Sequence, residues 1–242
     1  MIHEASTTDM NFVTKNFAYT TKKFSDFIND ISKGNKVYLR SLSADKPSDL
    51  PANLVADYPS IASDFQLPAE LAYVMDNAHS SPLRISAGVN MWLHYDVMAN
   101  VLCQIRGTKR LLLFPPSDVS HFNFEPGASS SRVDVFNNLD QVPGVHPHEV
   151  ILEPGDILYL PPLWLHAASP REDMSVSINI FFRNLQRGYS AGRDVYGNRD
   201  LQAYEKGRQD IQKIVKAFDG LPYDVRGFYL TRLADEFASK AR

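Results

Sequence analysis

The sequence predicts an all-β core folded as a double-stranded β-helix, or jelly roll, with an N-terminal helix and a C-terminal helical extension. Residues 83–182 consist of short apolar runs separated by Gly and Pro, which is the strand spacing of such barrels. After Arg187 the apolar residues recur with helical spacing instead. We therefore predict three regions: an N-terminal strand, helix and wrapping loop (1–82), the β-helix core (83–186) and a helical region (187–242).

The N-terminal region carries both helix and strand patterns. An amphipathic helix is predicted around Phe24–Ile31, and KVYLRSL (Lys36–Leu42) is typical of a strand. Prolines with Ser and Asp between them predict loop and turn over residues 43–67, with room for one helical turn. This stretch is expected to wrap around the barrel.

Turn-forming residues in the core predict two β-hairpins, one turning at Arg106-Gly107-Thr108 and one at Glu153-Pro154-Gly155-Asp156. Each turn is flanked by runs rich in Leu and β-branched residues. The long segment 117–148, rich in Gly, Pro, Ser and Asn, is then expected to link the two halves of the barrel.

The C-terminal region predicts two amphipathic helices. The first runs from Leu201 and is ended by Gly220-Leu221-Pro222, and the second covers Val225–Ser239. Because the barrel already has its own core, the apolar faces of these two helices need another apolar surface to pack against. Packing on the same subunit and forming a homodimer both satisfy that requirement.

Composition excludes several classes of protein. The 242 residues are 44% hydrophobic and 22% charged, as in soluble proteins, and no apolar run reaches the ~18 residues that span a bilayer. The N-terminal residues lack the features of a secretory signal, so we expect an intracellular protein without membrane association, in the cytoplasm or nucleus. Because Cys103 is the only cysteine, an intrachain disulfide and a thiolate-rich zinc site are excluded.

Charge is distributed unevenly along the chain. The net charge is −3, yet residues 183–242 hold 12 Lys and Arg against 8 Asp and Glu. The simpler explanation is a solvated helical surface, and the alternative is a local basic patch that binds RNA.

Three residues of the core predict a metal site. Within WLHYD (92–96) the two-residue period of a strand places His94 and Asp96 on one face. His166, which follows the run ILYLPPLW, is expected on the opposite sheet, facing back across the mouth of the barrel. Two imidazoles and one carboxylate on one face of an octahedron suit non-haem Fe(II), which keeps open positions for a 2-oxo acid and O₂.

The histidines also allow other interpretations. A zinc hydrolase could use the same three ligands with water as the fourth. His146 and His148 form an HPH pair that could bind metal, but the surrounding loop favours exposed turn residues. No role is assigned to the histidines without partner spacing, which are His3, His79 and His121.

Three polar residues of the core could hold a 2-oxo acid beside the metal, which argues against the zinc hydrolase. Lys109 can point into the barrel, where a buried ammonium group needs an anion, and a surface position beside Arg110 is the alternative. Asn100 is in even register with His94, and Asn179 lies in the apolar run SVSINIFF. For both asparagines, ligand contact and structural hydrogen bonding stay open.

The segments HYDVMANVLCQIRGTKRLLLFPP, GDILYLPPLWLH and INIFF resemble the JmjC oxygenases, which share the cupin fold. This resemblance covers the catalytic half of the chain and implies dependence on Fe(II), 2-oxoglutarate and O₂. The metal ligands of the family fall on His94, Asp96 and His166. The lysine that pairs with the 2-oxoglutarate carboxylate falls on Lys109, and the two pocket asparagines fall on Asn100 and Asn179.

A longer set of segments, YLRSL, LRIS, WLHYDVMAN, VYGNRD and LPYDVRGFYLTR, resembles the tRNA wybutosine hydroxylases within that family. These enzymes act on the side chain of a tricyclic base beside the anticodon of phenylalanine tRNA. The resemblance implies that Tyr38 donates its hydroxyl to the 2-oxoglutarate carboxylate, and a core aromatic is the alternative. Met91 stands where some relatives have a hydroxyl residue. A similar segment also ends a larger fungal protein of the wybutosine pathway, so stand-alone status stays open.

We therefore predict a 2-oxoglutarate-dependent dioxygenase that hydroxylates a C–H bond, with tRNA as the implied substrate. A protein substrate would instead make it a side-chain hydroxylase or a histone lysine demethylase. A non-catalytic cupin-like binding module is the third alternative, against which the complete ligand set argues. No Cys-rich reader module accompanies the core, and the basic C-terminal region favours tRNA over protein.

Overall fold

The computed structural model describes residues 1–190 and 192–241. They divide into two compact units, Met1–Arg199 and a second unit that begins at Asp200. The strands of the first unit are β1 (Ile2–Ala5), β2 (Phe17–Thr20), β3 (Val37–Arg40), β4 (Ala78–Ser80), β5 (Leu83–Ala87), β6 (Met91–His94), β7 (Ala99–Arg106), β8 (Lys109–Phe114), β9 (His148–Leu152), β10 (Ile157–Leu160), β11 (Leu165–Pro170) and β12 (Ser175–Phe182). Its α-helices are α1 (Phe24–Ser32), α2 (Leu54–Asp57), α3 (Pro59–Ala62) and α4 (Ala72–Asp76), and the second unit holds α5 (Gln202–Ala217) and α6 (Tyr223–Lys240).

Two antiparallel sheets form the first unit. The larger has the strand order β10-β7-β12-β5-β3-β1-β2, with β4 also paired to β12, and the smaller has the order β6-β11-β8-β9. From β5 to β12 the chain passes back and forth between the sheets, so each sheet receives four of these strands. That winding is a double-stranded β-helix, and the predicted fold is confirmed.

The turns at Gly107 and Gly155 pass from one sheet to the other, so the prediction of two hairpins is wrong. β7 pairs with β10 and β12 in the larger sheet, whereas β8 pairs with β9 and β11 in the smaller. β9 and β10 likewise belong to different sheets. Both glycines have positive φ, and such a residue reverses the chain in a hairpin and in a sheet-to-sheet corner alike.

β3 and β5 turn their polar side chains into the barrel and their apolar ones outward. A buried cluster joins the outer face to α1 through Phe27, Val37, Ile85 and Ala87. The alternate residues line a cavity between the sheets, and they are Tyr38, Arg84 and Ser86. The period of two in these strands therefore gives the interior a polar wall.

A leucine layer joins the two sheets. Leucines of β7 and β10 meet leucines of β8 and β9 in one buried cluster, which contains Leu102, Leu111, Leu113, Leu152 and Leu160. Burial of each such side chain contributes about 1.5–3 kcal/mol. Leu102, Leu111 and Leu160 also line the interior cavity, so the layer forms its apolar wall.

Other predicted elements agree with the structure in outline. The helix α1 extends the predicted Phe24–Ile31 by one residue, and β3 lies within the predicted strand. Residues 43–67 contain two short helices, α2 and α3, where one helical turn is predicted.

The second unit consists of the two predicted helices, displaced by a few residues at their ends. No side chain in the described part of either helix is buried, and apolar residues such as Ile211 and Phe228 are exposed. The rings of Phe218 and Tyr229 stack with centroids 6.3 Å apart. Dimerisation through these helices stays a prediction. Among the described helices, none combines the length and apolar character needed to cross a membrane.

Gly107 tests the first corner between the sheets. Its φ is 68°, and an added Cβ would lie 2.1 Å from the carbonyl oxygen of Met174. We expect Gly107→Ala to lower the free energy of unfolding by roughly 3 kcal/mol or more, because left-handed strain adds to a backbone clash. Gly155→Ala is the matched control, since Gly155 also has positive φ but nothing lies within 4 Å of its added Cβ. Urea unfolding measures both variants, and equal destabilisation would contradict the corner geometry.

Candidate metal centre and adjoining pocket

Two histidines lie opposite each other on neighbouring strands of the smaller sheet, so the prediction that His166 lies on the opposite sheet is wrong. His94 ends β6 and pairs with His166 of β11, and their ring centroids are 4.2 Å apart. In each ring Nδ1 bonds to the carbonyl two residues earlier, that of Trp92 at 2.9 Å and that of Trp164 at 3.0 Å. Because Nδ1 donates its proton in both rings, each Nε2 keeps a free lone pair.

Asp96 reaches the histidines from a turn. β6 ends at His94, so the strand alternation predicted for Asp96 does not extend to it. The carbonyl of Asp96 accepts a hydrogen bond from the amide of Leu163 at 2.9 Å, which fixes the turn. Its Oδ2 lies 3.6 Å from Nε2 of His166, is buried, and has no hydrogen-bond partner within the described residues.

These three side chains have the geometry that a metal ion requires. One ligand atom from each of His94, Asp96 and His166 lies within 4.8 Å of the others. Burial, with the neighbouring His166 as the second cause, lowers the pKa of His94 to about 3, so this imidazole is neutral at pH 7. A buried carboxylate oxygen without a partner is costly unless a cation occupies the site. The residues therefore fit a bound divalent metal.

Lys109 faces the cavity beside the metal ligands and does not lie on the surface. Its side chain is 6% exposed, and Nζ donates to Oγ of Ser177 at 2.6 Å. Burial, and then the positive charge of Arg84, lower the pKa of Lys109 to about 7. No carboxylate of the described residues forms an ion pair with Lys109, so that part of the chain supplies no counter-ion.

Asn100 and Asn179 lie on the wall of the same cavity, on the neighbouring strands β7 and β12. Both are buried, and Nδ2 of Asn179 donates to Oδ1 of Asn100 at 3.2 Å. Oδ1 of Asn179 is buried without a partner within the described residues. The two asparagines are therefore hydrogen-bonded to each other, and Oδ1 of Asn179 remains available to accept a hydrogen bond from a further group.

Tyr38 lies where the interior cavity meets its mouth, and it lines both. Its buried ring packs in a cluster with Met10, Phe17 and Val89. Tyr38 is therefore part of the core and also part of the cavity wall, and donation of its hydroxyl to 2-oxoglutarate stays a prediction.

Aromatic side chains line the mouth, which has a volume of about 360 Å³. That volume lies within the range of small-molecule sites, and such rings suit a flat aromatic group. The rings belong to His3, Phe12, Tyr19, Tyr38, Trp92 and Tyr196. Four residues line the mouth and the interior cavity together: Tyr38, Arg84, Met91 and His94.

Two arginines at this mouth were not predicted from the sequence. Arg40 and Arg84 lie directly opposite each other on β3 and β5, and both line the mouth. Each has a buried Nε without a hydrogen-bond partner in the described part of the chain. Strand alternation could have found them, because Arg40 shares a face with Tyr38, and Arg84 shares one with Ser86.

The remaining histidines lie outside the metal cluster. His146 and His148 are exposed, as predicted, although His148 begins β9 and is not in a turn. His121 is also exposed, and Nε2 of His79 bonds to a backbone carbonyl at 2.9 Å. His3, which has no predicted role, is buried in the wall of the mouth, and burial lowers its pKa to about 4.

Comparison with known proteins identifies the family. The cupin-like domain family matches residues 2–188. The tRNA wybutosine-synthesizing protein 4 of Aspergillus oryzae is 59% identical over 100% of this chain, which spans 24% of that protein. The tRNA wybutosine-synthesizing protein 5 of Danio rerio is 34% identical over 99% of this chain and 77% of its own length. The protein of that name from Mus musculus is 33% identical, over 99% and 79%.

The chain therefore belongs to the cupin-like family, in the group that includes the tRNA wybutosine-synthesizing proteins 4 and 5. The resemblance seen in its motifs is confirmed. The chain spans about a quarter of the length of the fungal relative and more than three quarters of the length of the vertebrate ones.

Loss of Asp96 tests the metal centre. We expect Asp96→Ala to weaken Mn(II) binding by at least ~100-fold, because the loss of a ligand exceeds the 10–100-fold effect of supporting residues. His146→Ala is the control, since this exposed imidazole also lies beside a carboxylate, that of Asp118. Isothermal titration calorimetry measures both variants. Undiminished affinity in Asp96→Ala would contradict the site.

Proposed function

We propose that the chain is an Fe(II)- and 2-oxoglutarate-dependent dioxygenase that hydroxylates the wybutosine side chain of phenylalanine tRNA. One observation supports this chemistry most directly. Two imidazoles and an unpaired carboxylate adjoin a cavity whose wall holds a buried ammonium group. A 2-oxo dicarboxylate is complementary to both, since one end chelates a metal and the other is an anion for the ammonium group.

The metal ligands of this proposal are His94, Asp96 and His166. Fe(II) would be held by the two Nε2 atoms and a carboxylate oxygen, while the carbonyl bonds at Nδ1 fix the orientation of both rings. Three protein ligands leave positions for a 2-oxo acid and O₂. When bound, the iron supplies the oxidising chemistry, in which 2-oxoglutarate and O₂ give succinate and CO₂ while one oxygen atom enters a C–H bond.

The interior cavity would hold 2-oxoglutarate. Lys109 would pair with the carboxylate far from the metal. Tyr38 would donate its hydroxyl to the same carboxylate, since Met91, which stands where some relatives have a hydroxyl residue, has no hydroxyl to donate. Asn100 and Asn179 would complete the polar wall through their remaining polar atoms. The leucine layer excludes water from the opposite wall, which strengthens these charged contacts.

The relatives support tRNA as the substrate class. Both groups are named for wybutosine synthesis in tRNA, and the vertebrate proteins match over most of their length. The aromatic mouth suits a flat base taken out of its stack. Because the metal centre suits a protein side chain equally well, the experiment includes both substrates.

Mass spectrometry of the products tests the proposed reaction. We expect the chain with Fe(II), 2-oxoglutarate and O₂ to add one oxygen atom to the tricyclic base of phenylalanine tRNA, with an equal amount of succinate. Asp96→Ala should abolish both products, whereas the exposed-site variant His148→Ala should retain them. An added oxygen or a lost methyl group only on histone or ankyrin peptides would overturn the tRNA assignment. No succinate with any substrate would favour a non-catalytic module.

Lys109 should make binding of 2-oxoglutarate depend on pH. The pKa of Lys109 is about 7 without a ligand, and a bound carboxylate would raise it, so binding takes up a proton at higher pH. We expect the Kd for 2-oxoglutarate to stay nearly constant well below pH 7 and to rise by up to ~10-fold per pH unit above it. Lys109→Arg remains charged and should flatten this profile. Calorimetry with Mn(II) present measures both, and identical profiles would contradict the role of Lys109.

A further inference from the structure

Arg40 and Arg84 form a pair of like charges at the mouth, the arginine pair. They lie directly opposite on adjacent antiparallel strands, where Cβ atoms are ~4.5–5.5 Å apart and like charges repel. Burial, and then the charge of Arg84, lower the pKa of Arg40 to about 10. A shared anion would remove this repulsion, because guanidinium groups bind carboxylate and phosphate through paired N–H donors.

The described residues compensate the arginine pair only in part. Nη2 of Arg40 donates to the carbonyl of Tyr196 at 3.2 Å, and its guanidinium lies 4.5 Å from the centre of that ring. The guanidinium of Arg84 lies 5.5 Å from the centre of the Phe181 ring. Within the described part of the chain both Nε atoms lack partners, and no carboxylate forms an ion pair with either arginine. Asp96, whose charge acts on Arg40, belongs to the metal cluster.

Charge balance shows where the missing anion must come from. If the proposed function holds, a divalent metal, Asp96 and Lys109 together carry two positive charges, which the two carboxylates of 2-oxoglutarate neutralise. The arginine pair adds two positive charges that remain unbalanced. Arg40 lines the mouth and not the interior cavity, so an anion that contacts both arginines would lie at the mouth, where a substrate would enter.

We propose that the arginine pair binds a carboxylate of the substrate beside the C–H bond that is hydroxylated. Arg84 and His94 line both the mouth and the interior cavity, so the anion would lie close to the metal. A backbone phosphate would stay outside with the RNA strand, which favours a carboxylate attached to the base. The pair would then distinguish base side chains by their charge, and this inference rests on the proposed function.

The loop that carries Tyr196 supports this role. The carboxylate of Asp194 accepts hydrogen bonds from the amides of Gly197 at 2.9 Å and Asn198 at 3.2 Å, which closes the loop. Gly197 has positive φ, and a Cβ there would lie 3.2 Å from the ring of His79. The loop therefore holds Tyr196 against Arg40, where the ring can orient the guanidinium toward the mouth.

Two small probes test the arginine pair. They are the nucleoside of the tricyclic base with its side-chain carboxylate free, and the methyl ester of that carboxylate. Binding is followed by fluorescence of Trp92 in a Trp164→Phe background, since the chain has two tryptophans. With Mn(II) and 2-oxoglutarate bound, we expect the acid to bind at least ~10-fold more tightly than the ester, which corresponds to ~1.4 kcal/mol.

Substitutions then assign this preference to the pair. Arg40→Gln and Arg84→Gln should each reduce the acid-to-ester ratio to below ~3-fold, because one charge-assisted contact is lost. Arg171→Gln removes an exposed arginine and should leave the ratio unchanged. Arg40→Lys keeps the charge without the planar fork and should give an intermediate ratio. Thermal unfolding of each variant shows whether the fold is intact.

Several outcomes would overturn the inference. These are equal binding of acid and ester by the unsubstituted chain, or a ratio that survives in both Gln variants. An arginine-dependent preference for guanosine 5′-monophosphate over guanosine, with none for the carboxylate, would assign the pair to a phosphate instead. Equal hydroxylation rates of tRNA with the free and the esterified side chain would overturn the arginine assignment alone. Absence of hydroxylation with either tRNA would overturn the proposed function.

Discussion

The burial of uncompensated charge is the constraint on which the rest of this structure depends. The ammonium group of Lys109 and one carboxylate oxygen of Asp96 are buried, and among the described residues Lys109 has no ion-pair partner and that oxygen has no hydrogen-bond partner. Groups of this kind destabilise a fold unless a ligand joins them. Other contacts must therefore stabilise the fold. The leucine layer does so on the apolar wall of the cavity, and the buried cluster between α1 and the outer face of β3 and β5 does so outside the barrel.

Backbone pairing sets the geometry of the metal cluster. The register of β6 and β11 brings His94 opposite His166, and the carbonyls of Trp92 in β6 and of Trp164 just before β11 fix both rings. Because these bonds come from the backbone, the imidazoles are oriented before any metal arrives. Asp96 depends on less regular structure, a turn held to Leu163, so it is the ligand whose position owes most to the loop between β10 and β11.

The sequence predicted what is local and periodic, and it failed where long-range pairing decides. The β-helix and the terminal helices follow from strand spacing, helical spacing and residue type. The grouping of His94, Asp96 and His166 was predicted too, but the structure forms it from two paired strands of one sheet and a turn, and not from strand alternation and opposite sheets. The two corners were predicted as hairpins, because a glycine turn does not reveal which sheet receives the next strand. Arg40 and Arg84 were passed over because an arginine in a strand is usually exposed, and only the register of β3 and β5 shows that they face each other.

The strands β1, β2 and β3 have a consequence for how this chain could diverge. These strands extend the larger sheet beyond the β-helix, and they supply much of the mouth but none of the metal ligands. On the proposed function, the metal ligands and part of the surface that would contact the substrate are thus carried by different stretches of the chain. If the proposed function holds, a change in these strands could retarget the reaction to another base or side chain without altering the metal ligands.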